Sequence, residues 1–231
     1  MKNIVSDLSA PNRSEEQIRS RERVSAHGEV FTADREVEAM LDLVCRETER
    51  IDSRFLEPAC GNGNFLVKIL ERKLTVVRHK YIKNRTDYEL YACVAVSSIY
   101  GIDIQMDNVI ECRDRLYEIL AVEYVTTFKE QFKEAYLLAI RHILSKNIIW
   151  GDSLTQQAPD GLAPIRFCEW SVVNDKIIRR DFLFEDLLQN QPFEGSNLFS
   201  DLGDEAFIPT PIAVYPPIHY LKLADYGAKQ L

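Results

Sequence analysis

Three short apolar runs, each closed by an acid and separated by long helical stretches, set the strongest limit on how this chain of 231 residues folds. Phe55-Leu56 stops at Glu57-Pro58, Tyr100-Gly101-Ile102 stops at Asp103-Ile104, and Asn147-Ile148-Ile149-Trp150 stops at Gly151-Asp152. Between them apolar residues recur at helical spacing. Phe65, Leu66, Ile69 and Leu70 open a helical hairpin reaching Ser98, a helix over Asn108–Leu120 carries Val109, Cys112, Leu116 and Ile119, and another covers Lys129–Leu144. Strands alternating with helices predict an α/β fold with a parallel sheet and right-handed crossovers. Upstream, Thr32 stands where an N-cap belongs, ahead of a helix with Val37, Met40, Leu41 and Val44 on one face that runs to about Glu49.

This pattern divides the chain into a polar arm or short helix over residues 1–25, an α/β domain over 26–155, and an extension over 156–231. In the extension Ile165–Val173 alternates like a strand, Asn174-Asp175 suits a hairpin turn, and Lys176–Phe184 is the returning strand. Prolines 209, 211, 216 and 217 make the remainder extended and irregular.

A hydrophobic content of 46% suffices for a sizeable core, and no run approaches the roughly 20 apolar residues of a membrane span. The polar start has no secretory h-region, and the five cysteines form no Cys-x-x-Cys pair. A reduced, cytoplasmic protein without a disulfide framework, membrane anchor or metal site is expected. Charge is uneven: residues 151–231 carry 6 basic and 12 acidic side chains, an extension repelled by phosphate unless covered. Conversely, Lys68–Arg85 holds seven basic residues and one acid, either a solvated helix face or a nucleic-acid patch.

Glu57-Pro58-Ala59-Cys60-Gly61-Asn62-Gly63-Asn64-Phe65 carries the most chemistry: a strand end, an acid, a Gly-x-Gly turn and a helix start. Glycines let backbone approach a ligand closely, and free amides at a helix start attract carboxylate or phosphate. Leu66 occupies the place of a third glycine, so the dinucleotide fingerprint fails, and no Gly-Lys-Ser/Thr makes a P-loop. Alone, the turn can also be read as a plain strand-to-helix connection. Asp103 and Asp152 raise the functional reading: at strand ends one carboxylate can accept both ribose hydroxyls and the other an adenine amine.

Glu57–Phe65 resembles the S-adenosylmethionine (AdoMet) motif of amino-group DNA methyltransferases, Asp/Asn/Glu-Pro-Ala-Cys-Gly-x-Gly-x-Phe. Gly28-Glu29-Val30-Phe31-Thr32 is similar to the Gly-x-x-Phe-Thr segment of the N6-adenine enzymes of type I and type IIG restriction–modification systems. Gly101–Ile104 and Asn147–Asp152 match the later motifs in order, and the likeness spans about Arg23 to Leu154. It implies a Rossmann-like class I AdoMet-dependent methyltransferase fold with AdoMet as cofactor. By the same resemblance Phe31 and Thr32 cover the methionine end, Glu57 with the Cys60–Gly63 backbone (Cys60, Gly61, Gly63) holds the amino acid moiety, and Pro58, Ala59, Asn64 and Phe65 belong to the same cofactor site. Asp103 takes the ribose, Ile102 or Ile104 packs beside the adenine, and Asp152 takes its amine. Cys60 is a small buried turn residue rather than a nucleophile.

The family's amine-binding motif, Asn/Asp-Pro-Pro-Tyr/Phe, is not evident. Pro216-Pro217 is the one proline pair, with Tyr215 where the amide or acid belongs and Ile218 where the aromatic belongs. Asn174, Asp175, Tyr215, Pro216 and Pro217 are therefore weak catalytic candidates. Two functions are expected as alternatives. One is an AdoMet-dependent DNA adenine N6-methyltransferase, or a subunit of one, acting on DNA with restriction-system partner chains. The other is a catalytically silent AdoMet-binding accessory protein.

Overall fold

A computed structural model of the chain describes residues 20–27, 30, 32–189 and 209–226. The first helices are α1 (Arg21–His27), α2 (Asp34–Asp42) and α3 (Cys45–Thr48). Thr32 does not cap α2: Ala33 is the N-cap, extended at φ −65° and ψ 147°, and no side chain caps the helix. The expected single helix to Glu49 is broken at Leu43 and Val44, whose amides bond three residues back rather than four. Thr48 is buried there, donating Oγ1 to the Cys45 carbonyl.

β1 (Phe55–Glu57) leads into α4 (Asn64–Tyr81) and α5 (Arg85–Ser97), the expected hairpin. Asn84 caps α5 by accepting from the amides of Thr86 and Asp87. β2 (Ile99–Asp103) is followed by α6 (Met106–Phe128), longer than the sequence pattern because Ala121 and Tyr124 continue its buried face. A 3₁₀ turn (Lys129–Gln131) separates α6 from α7 (Glu134–Asn147), so the helix expected from Lys129 begins later. β3 (Ile148–Trp150) starts one residue after the expected Asn147. Asn147 instead ends α7, buried, and gives its amide to the carbonyls of Ser97 and Ile99.

The three strands form a parallel sheet in the order β1-β2-β3. Glu57 lies level with Gly101, and Asp103 lies level with Trp150. At β3 the Arg113 guanidinium donates Nε to the Ile148 carbonyl. A Cβ on Gly101 would stand 2.9 Å from Leu66 Cδ1 and 3.0 Å from Cys60 Sγ, so this glycine lets α4 and the turn after β1 close onto the sheet.

β4 (Arg166–Val173) and β5 (Lys176–Leu183) form the expected antiparallel hairpin. Its turn places Asn174 and Asp175 at φ 50° and 60°, the left-handed pair that a two-residue hairpin loop of primed type requires. α8 (Phe184–Gln189) follows. The proline-containing stretch is less irregular than expected: β6 (Ala213–Val214) and β7 (Ile218–His219) both pair with β5, and a 3₁₀ helix covers Tyr220–Asp225. Phe167 and Ile165 of the extension pack on Tyr100 and Ile102 of β2, and Tyr100 donates its hydroxyl to the Cys168 carbonyl. The hairpin therefore covers the sheet face opposite Gly101.

Buried Glu89 ties the 3₁₀ helix to the main core. Its carboxylate accepts from the hydroxyls of Tyr124 and Tyr220 and from Lys133 Nζ, at 2.6, 2.7 and 2.9 Å. Among the described residues no helix is long and apolar enough to cross a membrane, and no group of three or more His, Cys, Asp or Glu could hold a metal ion.

Candidate functional site: the glycine turn at the strand ends

Gly61 and Gly63 both take left-handed backbone, at φ 52° and 89°. A side chain at Gly63 would be strained, and its Cβ would meet Cys112 Sγ at 2.6 Å. The chain thus turns sharply from β1 into α4 while sitting directly on α6.

Charged side chains from other elements fix this turn. Asp103 Oδ2 accepts the Gly61 amide at 2.9 Å, and its Oδ1 accepts the Gln105 amide and Asn108 Nδ2. Arg115 of α6 donates at 2.8 Å to both the Asn62 carbonyl and Asn64 Oδ1. Asn64 Nδ2 in turn donates to the Thr32 carbonyl at 3.0 Å, drawing the segment before α2 to the start of α4. Above, Arg23 of α1 pairs with Asp107 at the start of α6.

The structure therefore brings Thr32, Glu57, Cys60, Gly61, Gly63, Asn64 and Asp103 into one neighbourhood, with Pro58 and Ala59 exposed beside them. Phe31 lies outside the described residues. A carboxylate offers about four acceptor positions, and at Asp103 the Gly61 and Gln105 amides and Asn108 Nδ2 occupy three of them. Phe65 packs against the core. Ile102 is fully buried under the hairpin, which leaves Ile104, 46% exposed, as the apolar group at the mouth. Trp150 joins it there through an Nε1 bond to the Ile104 carbonyl. Asp152 forms a local turn, its Oδ1 accepting the amides of Leu154 and Thr155.

Two polar groups at the turn stand out electrostatically. Burial pushes the Glu57 carboxyl above its ordinary value, against the bond from the Ala59 amide. Asn62 Oδ1 is buried with no hydrogen-bond partner among the described residues. The Cys60 thiol is pushed well up by the neighbouring Cys112 thiol and then by burial, which disfavours its thiolate.

The weak catalytic candidates are not part of this site. Ile165, just before β4, lies against Gly151 at the carboxyl end of the sheet, and Val172 near the end of β4 lies with Ser97 and Ser98 at its amino end. Asn174 and Asp175 form the tip beyond. Tyr215 donates to Asp181 Oδ2 and lies under the Arg179 guanidinium, so Tyr215, Pro216 and Pro217 belong to the second sheet.

The basic stretch is also resolved. Lys68 pairs with Asp34, Glu38 and Glu71, Arg72 with Glu38 and Asp42, and Arg78 with Glu123. Lys73 is buried. Pairing or burial thus engages Lys68, Arg72, Lys73 and Arg78 of the run among the described residues. Sequence reasoning missed Asn62, Arg115 and Cys112. A small residue and a cation at Cys112 and Arg115, one helical turn apart after the Asp103 strand, were the available signal.

None of the family models, curated proteins or solved structures compared with the chain matches it.

Proposed function

We propose that the chain has a Rossmann-like methyltransferase fold and binds AdoMet at the carboxyl ends of its parallel strands. On this reading it is an AdoMet-dependent DNA adenine N6-methyltransferase, or a subunit of one, in a restriction–modification or phage-defence system. What carries the reading is the left-handed Gly61–Gly63 turn, tied to Asp103 across two adjacent parallel strands.

The residues fit such a ligand. Asn62 Oδ1 is an orphaned buried acceptor beside the turn, suited to an ammonium donor. Glu57, Asp103 and Asp152 concentrate negative charge at the strand ends, which complements a sulfonium cation. Asp103 keeps one acceptor position for a ribose hydroxyl, Ile104 and Trp150 offer an apolar wall for adenine, and Asp152 Oδ2 accepts its amine. When bound, AdoMet supplies an electrophilic methyl group. The chain's own residues hold and orient the donor and keep the turn from yielding.

A second reading is a silent AdoMet-binding accessory protein. It is favoured by the distance of Asn174, Asp175 and Tyr215–Pro217 from the glycine turn, which leaves the amine-accepting group to a partner chain. Calorimetry with AdoMet and transfer of labelled methyl to adenine in DNA test both. Binding with transfer supports the enzyme, binding without transfer the accessory role, and the absence of binding overturns the crevice.

A further inference from the structure

A cavity of about 560 Å³ opens at the end of the parallel sheet opposite the glycine turn. It lies where the chain enters β1 and β2, between Glu49–Arg54, the last turn of α5, Lys80 near the end of α4, and the hairpin tip. Its size is that of a small-molecule site, which buries an apolar body and orients it with a few polar groups. Tyr91, Val94, Trp170 and Ile177 give it an apolar, partly aromatic lining.

The charges around it are unequally engaged. Arg54 is held by Glu169 at 2.6 Å, whereas Arg50 and Lys80 line the cavity with Glu49 and Asp52. The contacts of Arg50 to Glu47 and Asp52 are 3.5 and 3.7 Å between exposed groups and therefore weak. Lys80 makes no ion pair among the described residues. Beneath the wall, Lys73 is fully buried and donates to the Ile51 and Ser53 carbonyls and to Ser98 Oγ, all neutral. No carboxylate touches it among the described residues. Ile51 and Ser98, which hold this cation, are themselves cavity residues. Burial disfavours the charged form of such an amine, and an anion in the adjoining space favours its protonation.

We propose that this cavity binds a small aromatic acid, its ring against Trp170 and Tyr91 and its anion toward Arg50, Lys80 and the buried Lys73. The ligand differs in charge from a sulfonium nucleoside, and the site is at the other end of the sheet from the glycine turn, so its fate is independent of AdoMet binding.

Titration with 2-naphthoate, followed by the indole N–H resonances of the two tryptophans, tests this. Trp170 lines the cavity and Trp150 stands at the carboxyl end, so each reports one site. A saturable shift of Trp170 alone is expected, with a Kd below about 1 mM. The uncharged 2-naphthamide binds at least about tenfold more weakly, and Lys80→Glu, an exposed change, weakens 2-naphthoate about fivefold. Val94→Trp fills the space and abolishes the shift. No saturable Trp170 shift in the unmodified protein, or equal binding of acid and amide, overturns the proposal.

Discussion

The two ends of the parallel sheet are fastened by opposite means. At the carboxyl end an anion and a cation reach in from outside: Asp103 takes an amide of the glycine turn, and Arg115 gives to its carbonyl. These bonds fix the backbone yet leave acceptors at Asn62 and Asp103 unfilled among the described residues. At the amino end a single buried ammonium, Lys73, gathers the approaches to β1 and β2 through three oxygens and leaves none of its protons unused. At one end polar groups of the turn stay open; at the other the ammonium is satisfied and only the cavity beside it is left for a ligand. Rigidity and open valence are thus separable, and the same sheet has both.

The sharpest way to break this contrast is Lys73→Ala. It leaves a cavity and strands the Ser53 carbonyl, costing about 3–5 kcal/mol. The urea midpoint should fall while AdoMet affinity in the remaining folded protein is unchanged. Asp103→Ala should do the reverse in proportion: a loss of about 1–3 kcal/mol in stability together with at least about a hundredfold loss in AdoMet affinity by calorimetry. Equal effects of the two changes on affinity would dissolve the distinction between the ends.

pH provides a finer probe. Burial pulls Lys73 down to about 7, so the unfolded chain holds this proton between about pH 7 and 10.5 while the folded protein does not. In that window the Lys73 contribution becomes more favourable as pH rises, by up to about 1.4 kcal/mol per unit. Lys73→Met removes it, so the stability difference between variant and parent, measured in urea, should shift steadily against the variant from pH 7 to 10. A flat difference would mean that the ammonium is not desolvated. Smallest is Gly63→Ala, where left-handed strain costs about 1–2 kcal/mol and the methyl must displace Cys112 Sγ. Cys112→Ala should relieve the steric part alone, which a double-mutant cycle measures.

The ends differed in legibility as well. Apolar runs closed by acids located all three strands, and Gly-Asn-Gly located the turn, because backbone geometry is written locally. Asp103 could be placed, but not the consumption of its lone pairs by Gly61, Gln105 and Asn108, which depends on two elements meeting. Lys73 is the clearest loss. Counted as one of seven basic residues, it resembled surface, yet with Leu66, Leu70 and Val77 it falls on the stripe that α4 buries. Spacing held that information and charge counting hid it. Glu89 is similar: its partners Tyr124, Lys133 and Tyr220 come from distant parts of the chain, and only the assembled core brings them within reach.

The strand order has a consequence for growth of the sheet. At β3 a guanidinium already sits on the first carbonyl, whereas β1 pairs with no strand on its far side among the described residues, and Leu56 there is 43% exposed. Unsatisfied strand margins are where further strands add. Any strand joining β1 would run alongside the Glu57–Gly63 turn, so widening the sheet and completing a wall of the proposed crevice would be one and the same event.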